Sequence, residues 1–498
     1  MLRRALNIVL EIFWALMLAL MPITSLPLLS RLAGSAMVMP PSVVPLLGLA
    51  LLWLAPQLAR RRALPPQAGP LLAFSGVALL SSLLAFYIPF PPFRNASYAG
   101  HMLQAGITLA IGVSTYLVVA MFPRDQAGLA RSLRWIDLGG VVLIIYSLAQ
   151  AYFWYTTRDY PTWMSELQKW LSVSMLFPQR VTGLAFEPSW LAHQLNMLYL
   201  PLWLAASVRR YSSYPFRILG VTAENLLLLG GLATLGFSIS RVGWLAALLM
   251  VCFLLLKGNI WLIGSLRAWI ERRSGQSHRA SHWNSALLTA GLLTGLLAFY
   301  FLLFLGAGLA ISKADPRMAK LFSLSALQEQ GFTAYANQLQ FAERVVFWET
   351  GWEVFNDYPI LGVGLGNTGY YFPQKMSTIG WALTEVNQII FHQDAVPNSK
   401  SMWSRILAET GLIGFALFLT WGLVLWFTGS RLAGGSGAGW RTAGLAVQLL
   451  LVAFLVEGFS IDSFALPYLW VGLGLATTAA RLNAPAGPAN GSEKATAP

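Results

Sequence analysis

Charge-free apolar runs constrain this chain more than any other feature of it. Residues 43–54, 71–88 and 287–311 contain no Asp, Glu, Lys or Arg. Apolar runs of about 18 or more residues are read as membrane-spanning helices. Hydrophobic residues make up 56% of the 498 and charged residues 11%, against roughly 25% charged in an ordinary soluble domain. One or two soluble cores could not hide that much apolar surface. The chain is predicted to be an all-α integral membrane protein.

Apolar runs between charged or Pro/Gly-rich breaks predict about twelve transmembrane helices, at 6–29, 42–59, 69–89, 101–122, 133–156, 187–208, 218–238, 241–257, 285–311, 403–428, 441–459 and 463–481. The boundary at 238–243 is the weakest, because few polar residues separate the seventh span from the eighth. The chain thus divides into helices one to nine (1–311), a large loop (312–402), helices ten to twelve (403–482) and a tail (483–498). A loop of about 90 residues is far longer than a connection needs, and such loops usually carry function. The tail is rich in Ala, Pro, Gly and Ser and is expected to be disordered.

Lysine and arginine in short loops set the orientation. With the N-terminus inside, the cytoplasmic segments hold 20 of the 33 cations and the short outside segments hold 6. Both termini are therefore expected in the cytoplasm of a bacterial cell, with the large loop periplasmic. The first span follows Arg3 and Arg4, but it is too long for a signal peptide's apolar region of about 7–15 residues. The net charge of +13 gathers in loops on one side, so membrane lipids are the expected polyanion and nucleic acid is not. The single cysteine, Cys252, excludes an internal disulfide and a cysteine-based metal site.

Two outside segments stand out. In 158–186, Trp163, Leu167, Trp170 and Leu171 recur at helical spacing opposite Glu166 and Lys169, which suits a helix lying in the headgroup plane. In the large loop, residues 334–357 read as a helix stopped by Pro359, with Arg344 and Trp348 one turn apart on one face. Gly362-Val-Gly364-Leu-Gly366 follows. A dinucleotide fingerprint needs a strand before it and a helix after it. Here a helix precedes it, so the run reads as a turn. Pro397-Asn398-Ser399-Lys400 then enters span ten, with Asn398 or Ser399 as its cap. Arg405 and Glu409 are four apart and either neutralise each other or face a ligand.

Other charges lie at the same outer edge. Arg241 opens span eight, and Glu187 precedes Pro188, a favoured first-turn residue, at the start of span six. Each alone is as well explained by anchoring to headgroups. Together with Arg344 and Lys400 they would present three cations and a carboxylate to a phosphate-rich lipid head. Glu457 and Asp462 flank a short outside hairpin and read as its polar cap. No His/Asp/Glu spacing resembles a metal site and no Asp-x-Asp pair is present, so neither metal nor cofactor is expected.

Ser-Arg-x-Gly-Trp-Leu-Ala (240–246), Glu-Arg-x3-Trp (343–348), Asp-Tyr-Pro-Ile-Leu-Gly-x-Gly-x-Gly-Asn (357–367) and Ile-Leu-Ala-Glu-Thr-Gly-Leu-Ile-Gly (406–414) resemble, in order and spacing, motifs of the O-antigen ligase and O-antigen polymerase superfamily. Gly183–Ala192 is similar to a segment of its polymerase and exopolysaccharide branches. The resemblance covers roughly residues 222–425. It implies a GT-C-like membrane glycosyltransferase, metal-independent and inverting, that moves glycan from undecaprenyl diphosphate to an acceptor hydroxyl. Arg241 and Arg344 would hold the diphosphate, with Trp348, Asn398, Lys400 and Arg405 as further substrate-binding candidates. One position departs from the ligases. They carry a histidine, taken as the base, nine residues before the glutamate corresponding to Glu409, and here Lys400 stands there. A lysine is normally protonated, so Glu187 and His392 join Lys400 as candidate bases. The leading reading is a polymerase of lipid-linked repeat units, with an acceptor glycan or lipid and a chain-length regulator protein as partners. A ligase acting on lipid A core or protein is the rival of the same class. A small-anion transporter is the rival of a different class.

Overall fold

The structure is a computed structural model that describes residues 2–32, 39–94, 96–274, 281–314, 328, 341–392 and 396–484. Among these residues it is helical, with two isolated β-bridges and no strand. The tail beyond 484 and most of the first half of the large loop lie outside the described residues, as does the expected helical stretch 334–340.

Each of the twelve apolar runs contains a helix. In chain order these are α1 (Leu2–Ala19), α3 (Val43–Ala59), α4 (Pro66–Tyr87), α5 (Tyr98–Met121), α6 (Gln126–Thr157), α8 (188–209), α9 (Ala223–Ser238), α10 (Arg241–Ser274), α11 (Ser281–Ala314), α13 (Met402–Gly434), α14 (Ala438–Glu457) and α15 (Pro467–Asn483). A short α2 (Pro27–Leu32), the outside helix α7 (Thr162–Leu171) and the loop helix α12 (Ala342–Asp357) complete the set used below. Seven helices among the described residues are long and apolar enough to cross a membrane. The protein is an integral membrane protein.

Side chains end these helices in familiar ways. Asp125 accepts from Gly128 N at 2.6 Å, and Thr222 forms a capping box with Asn225, each satisfying backbone donors that a helix start leaves open. The weak boundary near 238–243 is a real break. The chain turns through Ile239 in a left-handed conformation (φ 49°) and restarts at Arg241.

The buried centre lies between α5, α8, α13, α14 and α15. Trp421 stacks on Trp470, the Tyr116 hydroxyl meets Thr477 Oγ1 at 2.8 Å, and Trp203 donates to Asp137 at 2.8 Å. Between apolar helices in lipid, close packing matters more than a hydrophobic drive. Gly444 serves it, since a Cβ there would stand 2.5 Å from Gly429 O across the α13–α14 seam. At the periphery Leu51, Leu79, Leu83 and Ile145 are all more than half exposed, an apolar exterior of the kind lipid covers.

Helix α7 has the amphipathic pattern expected of it. Trp163 and Trp170 are exposed, Met164 and Gln168 are buried, and Lys169 pairs with Glu166 at 2.7 Å. The large loop has a small core of its own, where Phe347 of α12 stacks on Phe372 and packs with Val354, Tyr370 and Tyr371.

Candidate functional site

The loop reaches the bundle through backbone contacts. Gly362, Gly364 and Gly366 all have positive φ (70°, 84° and 77°), and Val363 N and Gly364 N donate to Ala408 O and Glu409 O at 2.9 and 3.0 Å. Those carbonyls are available because α13 is broken one turn further on, at Gly411 (φ 63°). A Cβ on Gly362 would lie 2.5 Å from Ala408 O. The glycine run is thus a turn that docks on an opened helix, as its flanking sequence implied, and it fixes α12 against the head of α13.

That docking places Arg344. It is half-buried, and its Nη1 donates to the Ser460 hydroxyl in the segment joining α14 to α15. Burial pulls its guanidinium below the usual arginine range, while Glu187, Asp462 and Glu457 oppose that shift by attraction. Carboxylates from two separate parts of the chain, the start of α8 and the 457–462 hairpin, therefore act on one arginine.

Glu187 is the N-cap residue of α8, and the Ser189 hydroxyl donates to it. The preceding Phe186 N donates to Thr24 Oγ1 at 2.8 Å, which ties this helix start to the segment after α1. Arg241 is the first residue of α10, and α10 begins hard against α8: a Cβ on Gly243 would lie 2.6 Å from that of Ala192.

Lys400 lies just before α13. Its Nζ is 4.0 Å from Glu343 Oε1 and sits over the Phe347 ring at 5.6 Å. It adopts φ 51°, a left-handed conformation that is uncommon for a residue with a side chain. Its N–H donates to Asn398 Oδ1 at 3.3 Å. This turn uses up the residues expected to cap the helix. The cap is Ser401, whose hydroxyl accepts from Ser404 N, rather than Asn398 or Ser399.

Arg405 and Glu409 do pair, at 2.9 Å, and Arg405 also donates to Asp462 O. Arg405 is thereby spent largely on the protein itself. Trp348 packs between Phe341 and Phe459, with centroids 5.1 and 5.2 Å away, and its buried Nε1 has no hydrogen-bond partner among the described residues. His392 is exposed on a π-helical turn (Gln388–His392). Its neighbourhood is the loop core around Ile389 and Ile390.

Sequence reasoning read Glu457 and Asp462 only as the polar cap of a hairpin and passed over what lies behind it. Glu457 is fully buried. Its Oε2 meets His193 Nδ1, and its Oε1 accepts from Asn196 Nδ2 at 2.6 Å. Asn196 also donates to Gly243 O at 2.9 Å. A polar residue at each of 187, 193 and 196 on one helix was the available signal. The partners, more than 250 positions away, were not visible. Among the described residues no group of three or more His, Cys, Asp or Glu is arranged to hold a metal ion.

Comparison with known proteins bears on this arrangement. Residues 226–419 match the family described as O-antigen ligase. The matched interval runs from α9 into α13 and so contains Arg241, Arg344, Lys400 and Arg405, while Glu187, His193, Glu457 and Asp462 fall outside it. No curated protein matches the chain.

Proposed function

We propose, for a chain whose family match sets it in the O-antigen ligase and polymerase superfamily, that it transfers glycan from undecaprenyl diphosphate to an acceptor sugar hydroxyl. In this reading it polymerises O-antigen or exopolysaccharide repeat units at the periplasmic face of the inner membrane. The observation that carries it is Arg344, half-buried among Glu187, Asp462 and Glu457 and hydrogen-bonded to Ser460.

The acceptor hydroxyl attacks the anomeric carbon, the bond from that carbon to the phosphate oxygen breaks, and the electron pair leaves on the diphosphate. Guanidinium groups aimed at those oxygens act where the charge develops, and their planar fork suits phosphate. Arg344 and Arg241 take this role, with Lys400 as a third phosphate ligand. The hydroxyl's proton passes to Glu187, a carboxylate within the field of Arg344. Attack opposite the leaving group inverts the anomeric centre. Trp348 and the exposed Phe459, tilted against each other, offer an aromatic corner to a sugar ring. All cations in this scheme belong to the protein, so no metal is given a step. The reaction requires lipid-linked repeats and a growing acceptor glycan, and a protein that limits chain length is proposed as a further partner.

The ligase reading stays in view because the matched family carries that description. Lys400, standing where the ligases carry a histidine, favours the polymerase. Deleting the gene separates them. A polymerase mutant loses long surface polymer and accumulates single lipid-linked repeats. A ligase mutant keeps lipid-linked polymer and loses its transfer to lipid A core. An unchanged glycan profile overturns both.

A further inference from the structure

Glu457 is buried at the C-terminal end of α14 with both oxygens engaged, by His193 and by Asn196. His193 and Glu457 are 1% and 0% exposed. A buried carboxylate is costly unless paired and hydrogen-bonded, so this one needs a reason. Its connections supply it. Through Asn196 it reaches Gly243 O, two residues into the helix that Arg241 opens. Through its own carbonyl, which accepts from Ser460 N and Ile461 N at 2.8 and 3.1 Å, it shapes the turn whose Ser460 hydroxyl accepts from Arg344. The next residue, Gly458, accepts at its carbonyl from Met402 N at 2.7 Å and from the Ser401 hydroxyl at 3.1 Å, beside Lys400. The elements bearing Arg241, Arg344 and Lys400 therefore meet around a single residue.

We propose that Glu457, clamped by His193 and Asn196, is a positioning residue of the transfer reaction, holding these three elements in the register at which their cations converge. It touches no reacting atom. The proposal rests on the glycosyl-transfer reading, and its consequence is a separation of binding from turnover. Removing one negative charge near the cations does not weaken their attraction for a diphosphate. Loosening their register removes alignment on the leaving oxygen, which a displacement of about 1 Å can cost a hundredfold.

Glu457→Gln keeps the side chain's size and one acceptor. Asn196→Ala cuts the link to Gly243 and leaves the carboxylate in place. The full chain, purified in nanodiscs, is titrated with undecaprenyl diphosphate. The initial rate of polymer formation is measured in membrane vesicles from the producing strain. For both variants we expect a melting temperature within a few degrees of wild type, affinity for undecaprenyl diphosphate equal or tighter, and polymer formation down at least tenfold. Glu457→Asp should recover part of the rate. A rate within twofold of wild type for Glu457→Gln overturns the proposal. So does a folded variant that loses affinity together with rate, since Glu457 would then belong to the binding surface. If Glu457→Gln does not fold, Asn196→Ala decides alone by the same criteria. A wild-type protein that does not bind undecaprenyl diphosphate defeats the transfer reading itself, an outcome distinct from these.

Discussion

Arg344 is the residue on which the proposed site turns, because its neighbours come from two distant stretches of chain, the start of α8 and the 457–462 hairpin. Its hydrogen bond to Ser460 spans 116 positions, while Trp348, one turn on, presents the ring that meets Phe459. Arg344→Ala should lower polymer formation about a hundredfold or more, the usual cost of losing one preorganised donor to a developing anion. Lysine should rescue poorly, since a point charge lacks the fork that grips two oxygens. Polymer of normal length in Arg344→Ala would reduce this arginine to a structural partner of the hairpin. The base is tested by a second pair. Glu187→Gln should lose nearly all activity, and Lys400→Arg should keep a substantial fraction because it retains the cation. The reverse result, an active Glu187→Gln with a dead Lys400→Arg, would make Lys400 the base, since guanidinium gives up no proton in this range. Glu187 and Lys400 stood out in the sequence because a charge at the edge of an apolar run is conspicuous, and Arg344 because it shares a face of the loop helix with Trp348. His193, Asn196 and Glu457 did not. Their pairings close over 264 and 261 positions, and no local pattern encodes a partner at that range.

Among the elements, the seam between the glycine turn and α13 decides whether the loop carries Arg344 to the bundle. The turn itself could be read from the sequence, because the flanks of Gly362-Val-Gly364-Leu-Gly366 excluded the alternative. The break in α13 could not. Residues 403–428 read as one span, whereas at the Gly411 opening Pro359 O and Ile360 O take the N–H groups of Leu412 and Ile413 in place of helix carbonyls. Lys400 shows the same limit at smaller scale, where a left-handed residue delays the helix cap to Ser401. Gly362→Ala should therefore be costly twice over. A side chain at φ 70° is strained, and the new Cβ would lie 2.5 Å from Ala408 O. Strain of about 1–3 kcal/mol should appear as a clear drop in the melting temperature of the detergent-solubilised protein. Gly236→Ala in α9, where a Cβ meets nothing within 4 Å, should leave it unchanged or slightly higher, because alanine suits a helix better than glycine. Equal melting temperatures for the two variants would mean that the seam is not a constraint.

At the scale of the whole molecule, the bilayer explains why the helices were easy to read and their arrangement was not. Apolar length marks each helix, but it says nothing of which helices become neighbours. Thus α5, α8, α13, α14 and α15 meet at the buried centre, while α10 presents much of its apolar stretch outward. Orientation is a separate inference that rests on charge alone. With the N-terminus inside, 20 of the 33 Lys and Arg fall in cytoplasmic segments and 6 in short outside ones, a bias strong enough to set topology. That arrangement puts Arg241, Lys400, the Glu187 end of α8 and the hairpin at 457–462 together on the outer side. It leaves the α13–α14 connection inside. Single cysteines in a Cys252→Ser background test it directly, because Cys252 is the chain's sole thiol. Thr378 is exposed in the large loop and Ser436 is exposed between α13 and α14. A membrane-impermeant maleimide applied to intact spheroplasts should label Thr378→Cys and spare Ser436→Cys until the membrane is opened. Labelling in the opposite order would turn the arginine cluster toward the cytoplasm. The lipid-linked repeats of the proposed reaction are presented on the other side, so the transfer reading would fall with the orientation.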